Sequence, residues 1–181
     1  YLREKSVSSV FDNIIYKSPL RKISLSVSKI KRNTEIFIGE FKGKFFEYVV
    51  YRWVNEKKGE KDKIIFDYED GEQIDLMLEN EDKIELFECK VSLHDDKIEE
   101  VSKQVKRKTE FISNKYKKNV IPHVVVYKAT SNQKSKIEKE GIRFIDFKNI
   151  IETDKIFSKS KKILEILDFQ FDKFSKSFVK K

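Results

Sequence analysis

Residues Gly71–Ser92, GEQIDLMLENEDKIELFECKVS, read as two short strands joined by a tight polar turn. Before the turn, Ile74, Leu76 and Leu78 alternate with Asp75 and Met77. After it, Ile84, Leu86 and Phe87 lead into Glu88, Cys89 and Lys90, and Glu79–Lys83 supplies the turn chemistry between the halves. A strand sends alternate side chains to opposite faces, so Glu88 and Lys90 share a face while Cys89 points away. Such a hairpin brings one acid, Asp75, toward a second, Glu88, with a lysine two residues further on. That grouping suits metal-assisted chemistry on a phosphodiester.

Outward from the hairpin, Lys63–Tyr68 reads as a third strand, with EDGE (69–72) as its turn. Upstream, Gly39 to about Glu56 reads as a helix with a wide apolar surface, carrying Phe41, Phe45, Phe46, Val49, Val50, Trp53 and Val54. Downstream, Asp95–Lys117 reads as an amphipathic helix with Ile98, Val101, Val105 and Ile112 inward and many lysines outward. Val120–Tyr127, VIPHVVVY, is a continuous apolar run of the kind found in strands buried on both faces. Asn132–Glu140 reads as a short helix stopped by Gly141, Ile142–Phe147 as a last strand, and the Lys-rich tail from Lys148 as helical. A helix also fits residues 2–17. The segment from Leu20 to Ile30 fits a helix better than a strand. A meander followed by β-α-β crossovers predicts an α/β fold with a mixed sheet flanked by helices. The expected organisation is a leading helical or linking segment (1–38), a core (39–147) and a basic helical tail (148–181).

The chain has 181 residues, of which 39% are hydrophobic and 39% charged, enough for one good core. A single cysteine, Cys89, excludes an internal disulfide and fits a reducing compartment. The apolar run Phe45–Val54 is too short to span a bilayer, so a cytoplasmic, membrane-free protein is expected. Few Gly and Pro with abundant Lys, Glu and Ile suit a thermophile, and an AT-rich genome gives the same bias. Beginning at Tyr1, the chain reads as a piece of a longer protein. Of the net charge of +8, the excess lies in the flanks: residues 1–38 hold 8 Lys/Arg against 3 Asp/Glu, and residues 148–181 hold 9 against 5. Basic flanks around a central cluster of acids suit a polyanion held against metal ions.

Phosphodiester hydrolysis needs a hard divalent cation at the phosphate, an activated water and neutralisation of developing charge. Asp75 and Glu88 can share one Mg²⁺ or Mn²⁺, with the Cys89 carbonyl as a third oxygen and Glu47, from the preceding helix, completing the shell. Lys90 can orient or deprotonate the water or stabilise the phosphate. Lys103, Lys106, Arg107 and Lys108 form a basic stretch for nucleic-acid backbone.

Asp75 followed by Glu88-Cys89-Lys90, with Glu47 on the helix before, resembles the PD-(D/E)XK nuclease superfamily. GKFFEYVV, GEQIDLML and IELFECKVS also resemble the nuclease-like C-terminal domain of certain archaeal ATPases. The resemblance covers roughly residues 39–147 and implies a restriction endonuclease-like core of helix, three-strand meander, helix and further strand. It implies a metal-dependent deoxyribonuclease, and it gives Gln104, on the helix after the lysine strand, a place in the site. It also implies DNA as partner, with RNA open, and an upstream ATPase or regulatory domain. The alternative is a nuclease-fold accessory domain that binds DNA or docks a partner without cutting. A homodimer is a further expectation, for which Phe169, Phe171, Phe174 and Phe178 offer a contact, although a core role suits them better. The family's proline before the first acid is absent, since Ile74 precedes Asp75. Asp67 and Asp70 stand as rival acids, Cys89 reads as a small inward hydrophobe, and His94 and His123 make no zinc site.

Overall fold

The computed structural model describes residues 27–153 with Lys162 and Glu165, and side chains at Ile36 and from residue 39 onward. The expectations for residues 1–26 and for the aromatic tail lie outside the described residues. The chain divides into two compact units, Tyr1–Phe45 with Lys162–Lys181, and Phe46–Lys161. In the first unit the described side chains include Phe41, which is buried and stacked on Phe45. The second unit holds the sheet.

Helix α1 runs Val27–Lys57, twelve residues further upstream than the expected start at Gly39. Gly39 and Gly43 lie inside it, with nothing within 4 Å of where a Cβ would stand. Glycine there weakens the helix by roughly 1 kcal/mol per residue relative to alanine, which a long helix absorbs. Its C-terminal half buries Phe46, Val49, Val50 and Val54.

Five strands form one sheet in the order β1-β2-β3-β4-β5: Lys63–Glu69, Gln73–Glu79, Lys83–Ser92, Asn119–Lys128 and Arg143–Asp146. The first three make an antiparallel meander, and β3, β4 and β5 run parallel. This is the mixed α/β architecture that the element order predicts. Helix α2 (Ile98–Tyr116), entered through a 3-10 turn at Asp95–Lys97, crosses from β3 to β4, and α3 (Ser131–Lys139) crosses from β4 to β5. Both lie on one face, where Val101, Val105 and Ile137 join Val124 and Val126, and Ile112 joins Ile84, Leu86 and Met77. Each such fully buried aliphatic side chain contributes about 1.5–3 kcal/mol. On the other face Phe46 meets Tyr127 and, edge-on, Phe147.

Two boundaries move for local reasons. Helix α3 starts at Ser131 because Thr130 and Gln133 form a reciprocal capping box ahead of it. The last strand stops at Asp146, and Phe147 opens helix α4 (Phe147–Thr153) instead of ending the strand. The Asp146 carboxylate accepts from the Lys148 N–H at 3.2 Å, which turns the chain into the helix. Phe147 is then fully buried against Phe46 and Trp53.

Candidate active site

The ladder between β2 and β3 has its last recorded pair at Leu76–Phe87. One step further, Asp75 and Glu88 face each other where the strands part. Instead of continuing the ladder, the Cys89 N–H donates to Asp75 Oδ2 at 2.8 Å. Strand β3 stays paired to β4 past this point, through Glu88–Val124 and Lys90–Val126. The acids therefore sit at a fork in the sheet, and a cleft of about 410 Å³ opens there. Its lining includes Glu47 from α1, Asp75 from β2, Glu88, Cys89 and Lys90 from β3, and Gln104, Arg107 and Lys108 from α2. The sequence-predicted acids, lysine and glutamine thus share one cleft.

Burial makes the charges costly. Asp75 is 8% exposed and Glu88 1% exposed. Asp75 is pushed up to about 7, first by burial and then by the neighbouring charges of Glu88 and Glu47, against the opposing Cys89 N–H and Lys108. Glu88 is held by two ammonium groups at once. Lys90 Nζ reaches Oε1 at 2.6 Å and Lys108 Nζ reaches Oε2 at 2.6 Å. Burial alone would lower the Lys90 pKa, but the Glu88 carboxylate outweighs it and holds the group above its ordinary value. The Cys89 thiol is raised well above its usual range, first by burial and then by Asp75, Glu47 and Glu88, so it is no nucleophile here.

Lys108 departs from its expected role. It is not part of the outer basic face but 3% exposed and turned into the cleft. Its position in the chain carried the signal: Ile98, Val101, Val105, Lys108 and Ile112, with spacings of three and four, form the inward stripe of α2. Lysine at a core position of that stripe requires a buried acid, and Glu88 is that acid. The other three basic residues are exposed and ion-paired: Lys103 to Glu99 at 2.6 Å, Lys106 to Glu140 at 2.6 Å and Arg107 to Glu72 at 2.9 Å.

The remaining candidates fall away from the cleft. Asp70 lies in the β1–β2 turn against Lys115 and Tyr68, and Asp67 adopts a left-handed φ of 52° within β1 without lining the cleft. His94 is exposed. His123 is buried and stacked on Phe87, with ring centroids 4.7 Å apart, and lies 3.2 Å from Glu85. Burial lowers its pKa.

A hard divalent cation calls for oxygen donors and keeps several of its own waters. The carboxylates of Asp75 and Glu88 at the fork, with mutual repulsion that a cation would relieve, fit that chemistry. Among the described residues, no three His, Cys, Asp or Glu side chains stand close enough together to ligate one ion. Two carboxylates supplemented by backbone oxygen and water are therefore the donor set that this cleft offers.

The helix, the three-strand meander, the crossover helix and the parallel fourth strand, with the acids at the fork of β2 and β3, make up the core described above. The fold is α/β, a mixed five-stranded sheet flanked by helices. The chain is similar to EndoMS solved in complex with dsDNA, at 20% identity and a TM-score of 0.44, over 58% of this chain and 44% of that one. It is similar to a repair endonuclease from Pyrococcus abyssi, at 24% identity and a TM-score of 0.41, over 55% of this chain and 45% of that one. A third likeness is to the small subunit of the heterodimeric restriction endonuclease R.BspD6I, at 19% identity and a TM-score of 0.44, over 78% and 95% of the two chains. This chain spans less than half the length of the first two. No family model and no curated protein matches the sequence. No helix among the described residues is long and apolar enough to cross a membrane. The chemistry of the cleft stands on its own residues.

Proposed function

We propose that the protein is a Mg²⁺- or Mn²⁺-dependent nuclease acting on DNA. The observation that carries this reading is the convergence of Asp75 and Glu88, both buried, with Lys90 at the mouth of one polar cleft. Buried carboxylates that repel each other destabilise a fold, and a cation-binding role accounts for their being there. Asp75 and Glu88 would hold the ion, with the Cys89 carbonyl and water as further oxygens, while Glu47 would add negative charge at the cleft without ligating it directly. The bound ion would supply charge neutralisation at the phosphate and a more acidic water. Lys90, kept as an ammonium beside Glu88, would donate to the scissile phosphate, and Gln104 would orient the phosphate or the water.

Lys103, Lys106 and Arg107 stand exposed along α2, Arg107 at the cleft itself. Their ion pairs are of the exposed kind, each worth about 1 kcal/mol or less, so a polyanion can displace them. Contacts of this sort position the backbone and carry no base readout.

A second reading keeps the fold without the cutting: an accessory domain that binds DNA or docks on a larger partner. It is favoured by the closure of both Glu88 oxygens by lysine. The test is incubation of end-labelled single- and double-stranded DNA, and matched RNA, with Mg²⁺, Mn²⁺ or EDTA. Metal-dependent cutting that is lost in Asp75→Ala and Lys90→Ala supports the nuclease. Retardation of DNA without cutting in either metal supports the accessory domain.

A further inference from the structure

The nuclease reading gives the buried Lys108 of the cleft no role. It occupies a core position of α2, its side chain is 4% exposed, and its ammonium touches Glu88 at 2.6 Å, on the oxygen that Lys90 does not use. It also bears on Asp75, whose ionisation it favours. Burying an ammonium is expensive unless a carboxylate sits against it, and burying that carboxylate is equally so. One ammonium, Lys90, already neutralises Glu88. The second therefore answers to the summed negative charge of Asp75, Glu88 and Glu47 and not to one carboxylate alone.

A divalent cation would answer to the same charge at the same carboxylate oxygens. An ion on Glu88 Oε2 and a lysine ammonium 2.6 Å from that oxygen repel each other at short range and compete for the same negative charge. Lys108 has four methylenes of reach from a helix that lines the cleft beside Gln104 and Arg107, so its head can withdraw from Glu88 into the open volume.

We propose that Lys108 is a tethered counter-cation of the acid site. In the metal-free protein it neutralises the carboxylates, and it gives way when a divalent ion binds, so metal affinity is set by competition with this side chain. The inference rests on Asp75 and Glu88 being the metal-binding pair. It makes the metal-free fold stable at the expense of metal affinity.

The test is calorimetric titration of Mn²⁺ into the full chain without DNA, for wild type, Lys108→Met and Lys108→Arg. Removing the competing charge in Lys108→Met should tighten Mn²⁺ binding by about tenfold or more, whereas Lys108→Arg should bind as weakly as wild type. Thermal midpoints provide a second readout. Lys108→Met should melt below wild type in EDTA and recover most of the difference in saturating Mn²⁺. If the variant is unfolded in EDTA, folding restored by Mn²⁺ supports the proposal, and failure to fold at any Mn²⁺ concentration overturns it. Equal or weaker Mn²⁺ affinity in Lys108→Met, with wild type binding, overturns the proposal alone and leaves Lys108 a structural ion pair. No binding by wild type or by Lys108→Met removes the metal reading as well.

Discussion

Asp75→Asn should stabilise the metal-free protein at neutral and alkaline pH. The folded state holds the Asp75 carboxyl at about 7, against about 3.8 for the exposed group. Between those values the folded protein keeps a proton that the unfolded chain has lost, so stability falls as pH rises through this window and levels off above it. A shift of about three units corresponds to roughly 4 kcal/mol at pH 8. Asparagine keeps an acceptor for the Cys89 N–H and removes the charge that Glu88 and Glu47 oppose. Its new NH₂ group, without a fitted acceptor, returns about 1–2 kcal/mol of that gain. The variant should therefore be about 2–3 kcal/mol more stable than wild type at pH 8 and equal or slightly weaker near pH 4. Urea unfolding in EDTA at several pH values reads this difference directly. Mg²⁺ at one thousand times its Kd should reverse its sign, because it stabilises wild type by about 4.1 kcal/mol, more than the variant's gain. A stability difference that does not change with pH, or a variant weaker than wild type at pH 8, would refute the electrostatic account of the fork.

Three other outcomes follow from the same geometry. Lys90→Met should lower metal-dependent cleavage by at least about a hundredfold while leaving Mn²⁺ binding in place, because the side chain serves the phosphate and not the ion; loss of both would mean that its ion pair positions Glu88 for the metal. Arg107→Ala should weaken DNA binding and reduce the slope of log K against log salt by about one, with a stability change within about 1 kcal/mol, as its Glu72 partner is only partly buried. Ile112→Ala, in the core beneath the hairpin, should cost about 2–5 kcal/mol in unfolding free energy, and a cost near zero would mean that α2 does not hold the sheet.

Much of this arrangement was legible in the sequence because period-two patterning is strong where a strand is buried. Ile74-Asp75-Leu76 and Leu86-Phe87-Glu88 placed both acids on core strands, and the VIPHVVVY run marked an interior parallel strand. Gln104 was placed by resemblance and lines the cleft. Lys108 was misplaced because a run of lysines reads as a solvated face. Its place on the three-four stripe with Val105 and Ile112 is meaningful only once a buried partner for it is known. The fork at Asp75 and Glu88 was not legible either, since strand pairing stops for reasons of three-dimensional register. The start of α1 was missed because Gly39 looks like a boundary, whereas exposed glycines inside a long helix only weaken it. Phe147 was assigned to the last strand by its apolar neighbours, and the capping carboxylate of Asp146 overrode that pattern.

The measurement that bears most directly on the central claim is single-hit nicking of supercoiled plasmid by the full chain in Mn²⁺. Glu88→Gln, purified in parallel, is the comparison. The account predicts nicking by wild type that EDTA abolishes and that the variant slows by at least about a hundredfold. No nicking by wild type in Mn²⁺ or Mg²⁺, or equal nicking by the two proteins, would contradict it.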